Sequence, residues 1–150
     1  YVGEIIDINK DFLMMILENG YITVIAPCAI GRDGNTYNVN ADTAAGKIAS
    51  ILKAEKFVLL TDVSGVLKDR NDERSIISKI NYQESKELLN SHFITEGMIP
   101  KLKCCVKAIE EGVESAHIID GRIPHSLILE IFTKEGIGTM IVKENSYEEN

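Results

Sequence analysis

Short apolar runs of strand length alternate along this chain with segments whose apolar residues recur every three or four positions, and few folds satisfy that alternation. Residues 2–8, 22–26, 57–60, 76–80, 117–119 and 139–142 read as strands, with helical spacing or a turn signal between them. Strands separated by helices pair through crossovers, which predicts an α/β domain, a three-layer α/β/α sandwich around a mainly parallel sheet. At 150 residues the chain can bury one core but not two. The domain is expected over residues 1–143, with an acidic, disordered tail at 144–150.

Local signals place the elements. Asn9 can cap a helix whose apolar residues Phe12, Leu13, Ile16 and Leu17 keep helical spacing until Gly20 stops it. Asp33-Gly34-Asn35 is a tight-turn signal inside residues 28–40, which predicts a hairpin. Ala41, Ala44, Ala45, Ile48 and Leu52 keep helical spacing and are mostly small, so that helix can pack close. Phe57-Val58-Leu59-Leu60 is continuous, as in a strand buried on both faces. Residues 69–74 are polar and expected to be exposed. Helices are predicted over 82–90, 99–111 and 126–132, the second with Leu102, Cys105, Val106 and Ile109 inward.

Composition removes several functions. Sixteen basic against 23 acidic residues give a net charge of -7, and there is no basic run, so nucleic acid is not the expected partner. No apolar stretch approaches the roughly 20 residues of a membrane helix, and residues 1–4 lack the basic start and apolar core of a signal peptide. Three cysteines, two adjacent at Cys104 and Cys105, make no disulfide framework, which points to a reducing, cytosolic location.

Chemistry is expected where strand ends meet helix starts, because unpaired backbone donors converge there. Thr61-Asp62-Val63-Ser64-Gly65-Val66-Leu67 stands at one strand end. Its hydroxyls and carboxylate can bond a ribose, a base edge or a metal-bound water, and Gly65 lets backbone approach a ligand. An ordinary Asx-turn loop explains the same residues. Gly97-Met98-Ile99-Pro100 reads as a helix entry, which puts Lys101 where the helix dipole is already positive. A phosphoryl group would give that ammonium a partner, and a solvated surface lysine is the plainer alternative. Asn40 can cap the helix after it, Asp42 suits the first turn for structural reasons, and the Asn38 amide could hold a substrate carboxylate.

Taken together and in this order, these clusters resemble the amino-acid kinase family. Tyr37-Asn38-Val39-Asn40-Ala41-Asp42-Thr43-Ala44-Ala45 is similar to its acetylglutamate kinase branch, and the likeness runs over residues 2–143. The resemblance implies ATP with its Mg²⁺ as phosphoryl donor and N-acetyl-L-glutamate as acceptor. It further implies that Asn38 and Asn40 lie at the acceptor, that Asp42 orients catalytic lysines, and that Lys101 stabilises the transferring group. Thr61, residues 62–67, Phe93-Ile94-Thr95, Gly97 and Met98 would surround the nucleotide. Residues 125–139 are similar to the ending of arginine-inhibited members, with Glu130 and Gly136 at L-arginine contacts. The family's glycine-rich phosphate loop and its other catalytic lysine have no counterpart here, so the chain reads as the carboxy-terminal, nucleotide-binding half of an enzyme expected to be a homo-oligomer.

Overall fold

The computed structural model describes residues 2–69, 71–72, 74–91 and 94–144. The first helix, α1 (Lys10–Glu18), begins as its cap predicts, with Asn9 Oδ1 accepting from the Phe12 amide at 3.0 Å. Strands β1 (Cys28–Ile30) and β2 (Thr36–Asn38) form the antiparallel hairpin, and Gly34 takes φ +80° at its tip. Asp33 stiffens that turn by accepting from the Asn35 amide at 3.1 Å and from the Tyr37 hydroxyl at 2.9 Å. Helix α2 (Ala41–Leu52) follows, capped by Asn40, whose Oδ1 accepts from the Thr43 amide at 2.9 Å.

The main sheet has four strands in the order β3 (Lys56–Thr61), β5 (Ser115–Asp120), β6 (Thr139–Val142) and β4 (Lys79–Asn81). The β3–β5 and β4–β6 pairs are parallel, and β5–β6 is antiparallel. Helices α3 (Tyr82–Leu89) and α4 (Met98–Glu110) precede β5, and α5 (Ser126–Phe132) lies between β5 and β6. The mainly parallel α/β arrangement is the one expected from the pattern.

Strand alternation explains the three layers. Ala116 and Ile118 of β5 point into a core built with Leu102, Cys105, Val106 and Ile109 of α4, Ala49 of α2, and Tyr82, Leu88 and Leu89 of α3. His117, between them, points the other way and meets Glu130 of α5. Helices therefore cover both faces of β5, all six residues of which are buried.

Three expectations fail. Residues 2–8 form no strand: Val2 makes one isolated bridge to Asn38, and the Ile5 carbonyl accepts from Lys47 of α2. Residues 22–26 are also outside any strand, with Ile22 and Val24 more than 90% exposed. Both segments have strand-like apolar content, but a strand exists only with a ladder partner, and neither has one among the described residues. The third failure is β3, an edge strand in this sheet. Phe57 and Leu59 are buried while Leu60 is 56% exposed, so β5 is the strand covered on both faces. Phe93 and residues 145–150 lie outside the described residues.

Candidate functional site

The carboxyl ends of β3 and β5 lie side by side, with Thr61 registered against Asp120. Beyond them is a cleft of about 270 Å³ lined by Asp62, Val63, Ser64, Gly65, Val66, Leu67, Ile94, Thr95, Met98 and Arg122. The fold thus brings the loop after β3 against the amino end of α4, as the sequence segments anticipated. Thr61 stands behind the cleft wall: its carbonyl accepts from the Gly121 amide at 2.8 Å and its hydroxyl oxygen accepts from the Val63 amide at 3.2 Å. Gly97 caps α4 without itself lining the cleft.

Gly65 is needed for reasons of backbone. It adopts φ +145°, and an added Cβ would come within 2.7 Å of the Thr139 hydroxyl oxygen. The same hydroxyl oxygen accepts from the Val66 amide at 2.8 Å, which ties the cleft loop to the start of β6. The close approach that glycine permits is therefore to the protein's own strand.

A second cluster lies where two helices begin. Asp42 is in the first turn of α2, Lys101 in the first turn of α4, and Lys101 Nζ sits 3.1 Å from Asp42 Oδ2. Both side chains keep a quarter to a third of their surface exposed, so the pair is open to an incoming anion. The two positive helix ends reinforce that preference. Cys104, one turn along α4, donates its thiol proton to the Asp42 carbonyl at 3.0 Å. Burial, then the Asp42 charge, pushes this thiol up to about 11, so it acts as a neutral donor. Asn38 is exposed at the end of β2, two residues before the Asn40 cap, on the chain entering the Asp42 helix.

Glu130 is engaged in the fold. Its Oε1 lies 2.7 Å from His117 Nδ1, and its Oε2 accepts from the amides of Ile137 and Gly138 at 2.8 and 3.1 Å. The far ring nitrogen of His117 meets Ser115 Oγ at 3.1 Å. Burial pushes the Glu130 carboxyl up, but His117 and the two amides outweigh it and hold the group below its usual value. Gly136 takes φ +62°, and a Cβ there would meet Glu130 Oε2 at 2.7 Å. Backbone amides of the turn, rather than its carbonyls, face the carboxylate.

Sequence reasoning missed Arg122. The available signal was positional: Asp120-Gly121-Arg122 ends a strand parallel to the one that ends in Thr61-Asp62.

A sheet covered on both faces, with a cleft beyond its strand ends, is an α/β architecture of the kind that seats ligands at the carboxyl ends of its strands. The amino acid kinase family model matches residues 1–120, and the chain belongs to that family. It is 66% identical over 144 residues, 96% of its length, to the acetylglutamate kinase of Petrotoga mobilis, of which this stretch is 48%. The chain thus spans about half the length of the curated relatives it matches. The N-acetylglutamate synthase of Neisseria gonorrhoeae, solved with coenzyme A and L-arginine, superposes with a TM-score of 0.87 at 31% identity, covering 96% of this chain and 33% of that one. A Giardia lamblia carbamate kinase bound to AMP-PNP shares the fold, at TM-score 0.69 and 18% identity over 91% of this chain and 45% of that one.

Proposed function

We propose that the chain is the carboxy-terminal, nucleotide-binding half of an acetylglutamate kinase, which transfers the γ-phosphoryl of ATP to the side-chain carboxylate of N-acetyl-L-glutamate. The observation that carries the reading is the Lys101–Asp42 pair at the amino ends of two helices, with Met98 of the same α4 turn lining the cleft. The 66% identity to a curated kinase of that specificity supports it.

In this reading residues 62–67 with Ile94, Thr95 and Met98 hold the nucleotide. Lys101 neutralises charge on the phosphoryl group in flight, Asp42 keeps the ammonium pointed at it, and Asn38 with Asn40 lies toward the acceptor. No side chain serves as nucleophile, since the acceptor carboxylate attacks directly. Mg²⁺ carried by the nucleotide would draw charge from its phosphate oxygens. Among the described residues no three carboxylate, imidazole or thiol side chains gather to hold a metal; Asp62, which lines the cleft, would meet one carried in with ATP.

L-Arginine is proposed as an effector near Glu130 and Gly136. Support comes from the ending of the sequence and from the synthase of the same fold solved with L-arginine. That synthase also favours a second reading, a non-phosphorylating arginine-binding module. A homo-oligomeric, cytosolic enzyme completes the first reading. No helix among the described residues is long and apolar enough to cross a membrane.

Calorimetric titration of the chain with ADP tests the nucleotide site, and folded protein that takes up no ADP overturns it. Turnover of acetylglutamate by the completed kinase, meaning this chain joined to an amino-terminal half, separates the two readings. Arginine binding without turnover selects the second.

A further inference from the structure

The loop that forms one wall of the cleft is strung between two threonine hydroxyls. Thr61, the last residue of β3, accepts from the Val63 amide at 3.2 Å, and Thr139, the first residue of β6, accepts from the Val66 amide at 2.8 Å. These two posts belong to strands on opposite sides of β5. Because β6 runs antiparallel to β5, its amino end lies at the carboxyl end of β5, with Thr139 registered against Ile118 and Thr61 against Asp120. The loop therefore spans the width of β5 to reach its second post.

Thr139 stands on a fixed stretch of backbone. Just before it, the amides of Ile137 and Gly138 donate to Glu130 Oε2 at 2.8 and 3.1 Å. Gly138 lies so close to β5 that a Cβ there would overlap the Ile118 carbonyl oxygen. Directly after it, the Met140 amide donates to the Ser78 carbonyl at 2.9 Å. The far end of the loop is fixed as well, since the Val66 carbonyl accepts from the Ile77 amide at 2.8 Å. Val66 and Thr139 are both fully buried. An amide deprived of its acceptor there has no water to turn to, and the loop must shift to satisfy it.

We propose that Thr139 is a positioning residue of the nucleotide site: its hydroxyl, by holding the Val66 amide, sets the shape of the 62–67 wall against which the nucleotide seats. Thr139 is not among the residues lining the cleft, so its influence runs through the loop. The inference rests on the nucleotide reading of the cleft and adds to it a residue from the far side of β5.

The test compares Thr139→Val with Thr139→Ser by calorimetric titration of the chain with ADP, each variant held well below its own melting midpoint. Hydrogen exchange of the Val66 amide is followed by NMR in the same samples. Valine keeps the shape and removes the acceptor, whereas serine keeps the acceptor and loses a methyl. Thr139→Val is expected to weaken ADP binding about 10-fold, the scale of one lost buried hydrogen bond, and to speed exchange at Val66. Thr139→Ser should bind ADP within about threefold of the parent. If the valine variant does not fold, Thr139→Cys, whose sulfur is a weak acceptor, stands in with a smaller loss, and parent-like affinity in it overturns the inference. A folded Thr139→Val that binds ADP like the parent makes Thr139 a core threonine only and overturns this inference while sparing the cleft. Equal losses in the valine and serine variants assign the effect to packing and overturn it as well. A parent chain that binds no ADP removes the nucleotide reading and this inference together.

Discussion

Lys101 Nζ and Asp42 Oδ2 stand 3.1 Å apart although 59 positions separate them in the chain, each on the first turn of its own helix. The contact exists because α2 and α4 pack against each other at their starts, and both side chains remain partly exposed there.

Lys101→Ala in the completed kinase is expected to cut kcat by about 10²-fold or more, with the KM for ATP changed far less. The charge matters most when the phosphoryl group lies between oxygens. Steady-state kinetics check this, and a change in kcat below about threefold returns Lys101 to the surface.

Gly46 is one turn beyond Asp42 on α2 and faces Cys104, one turn beyond Lys101 on α4. A Cβ at Gly46 would meet Cys104 Sγ at 2.7 Å. Gly46→Ala is expected to cost about 1 to 3 kcal/mol of overpacking, offset by about 1 kcal/mol of helix propensity, and to widen the ion pair. Adding Cys104→Ala removes the clashing sulfur and should recover the loss. If the single and double variants melt together below the parent, the Gly46–Cys104 contact does not set the helix spacing.

Asn38→Ala should raise the KM for acetylglutamate by about 10-fold, a typical effect of a lost hydrogen bond to a charged group, and leave ADP affinity unchanged. The side chain is exposed on the strand leading to α2 and lines no part of the cleft beyond β3 and β5. Weaker ADP binding with an unchanged acceptor KM would invert the proposed layout.

Glu130 gives a pH prediction. Its folded-state carboxyl titrates below the ordinary value of 4.5, so its stabilising contribution is present above that value and is lost as pH falls through the folded-state value. Thermal melts should show stability falling on acidification below about pH 4.5. Glu130→Gln should flatten that fall and lower stability at neutral pH by about 3 kcal/mol, the scale for breaking a buried pair. An unchanged melting profile would remove Glu130 from the fold's supports. Relief of arginine inhibition in the same variant supports the effector proposal only alongside Gly136→Ala, because Glu130 also holds the turn.

Much of this molecule is written locally. Asn9, Asn40 and Asp33-Gly34-Asn35 act on amides within a few positions, and the helices they start and the turn they make appear where the spacing places them. Residues 62–67 and the helix entry at Met98 were legible as candidate site segments for a similar reason, since a strand end or a helix start is itself a short-range signal, whereas Ile94 and Thr95 came only with the family resemblance. Pairing is a different matter. The apolar content of residues 22–26 could not reveal that they have no ladder here, nor could the run 57–60 reveal that β3 would lie at an edge, because each depends on which strand comes alongside. The same holds for the chemistry that crosses the chain. Asp42 finds Lys101, Glu130 finds His117 and the turn after α5, and Arg122 enters the cleft beside Asp62 only once β3 and β5 run parallel in register. Short-range hydrogen bonds fix where elements begin and end, while long-range packing fixes which of their side chains meet, and no sequence period encodes the second.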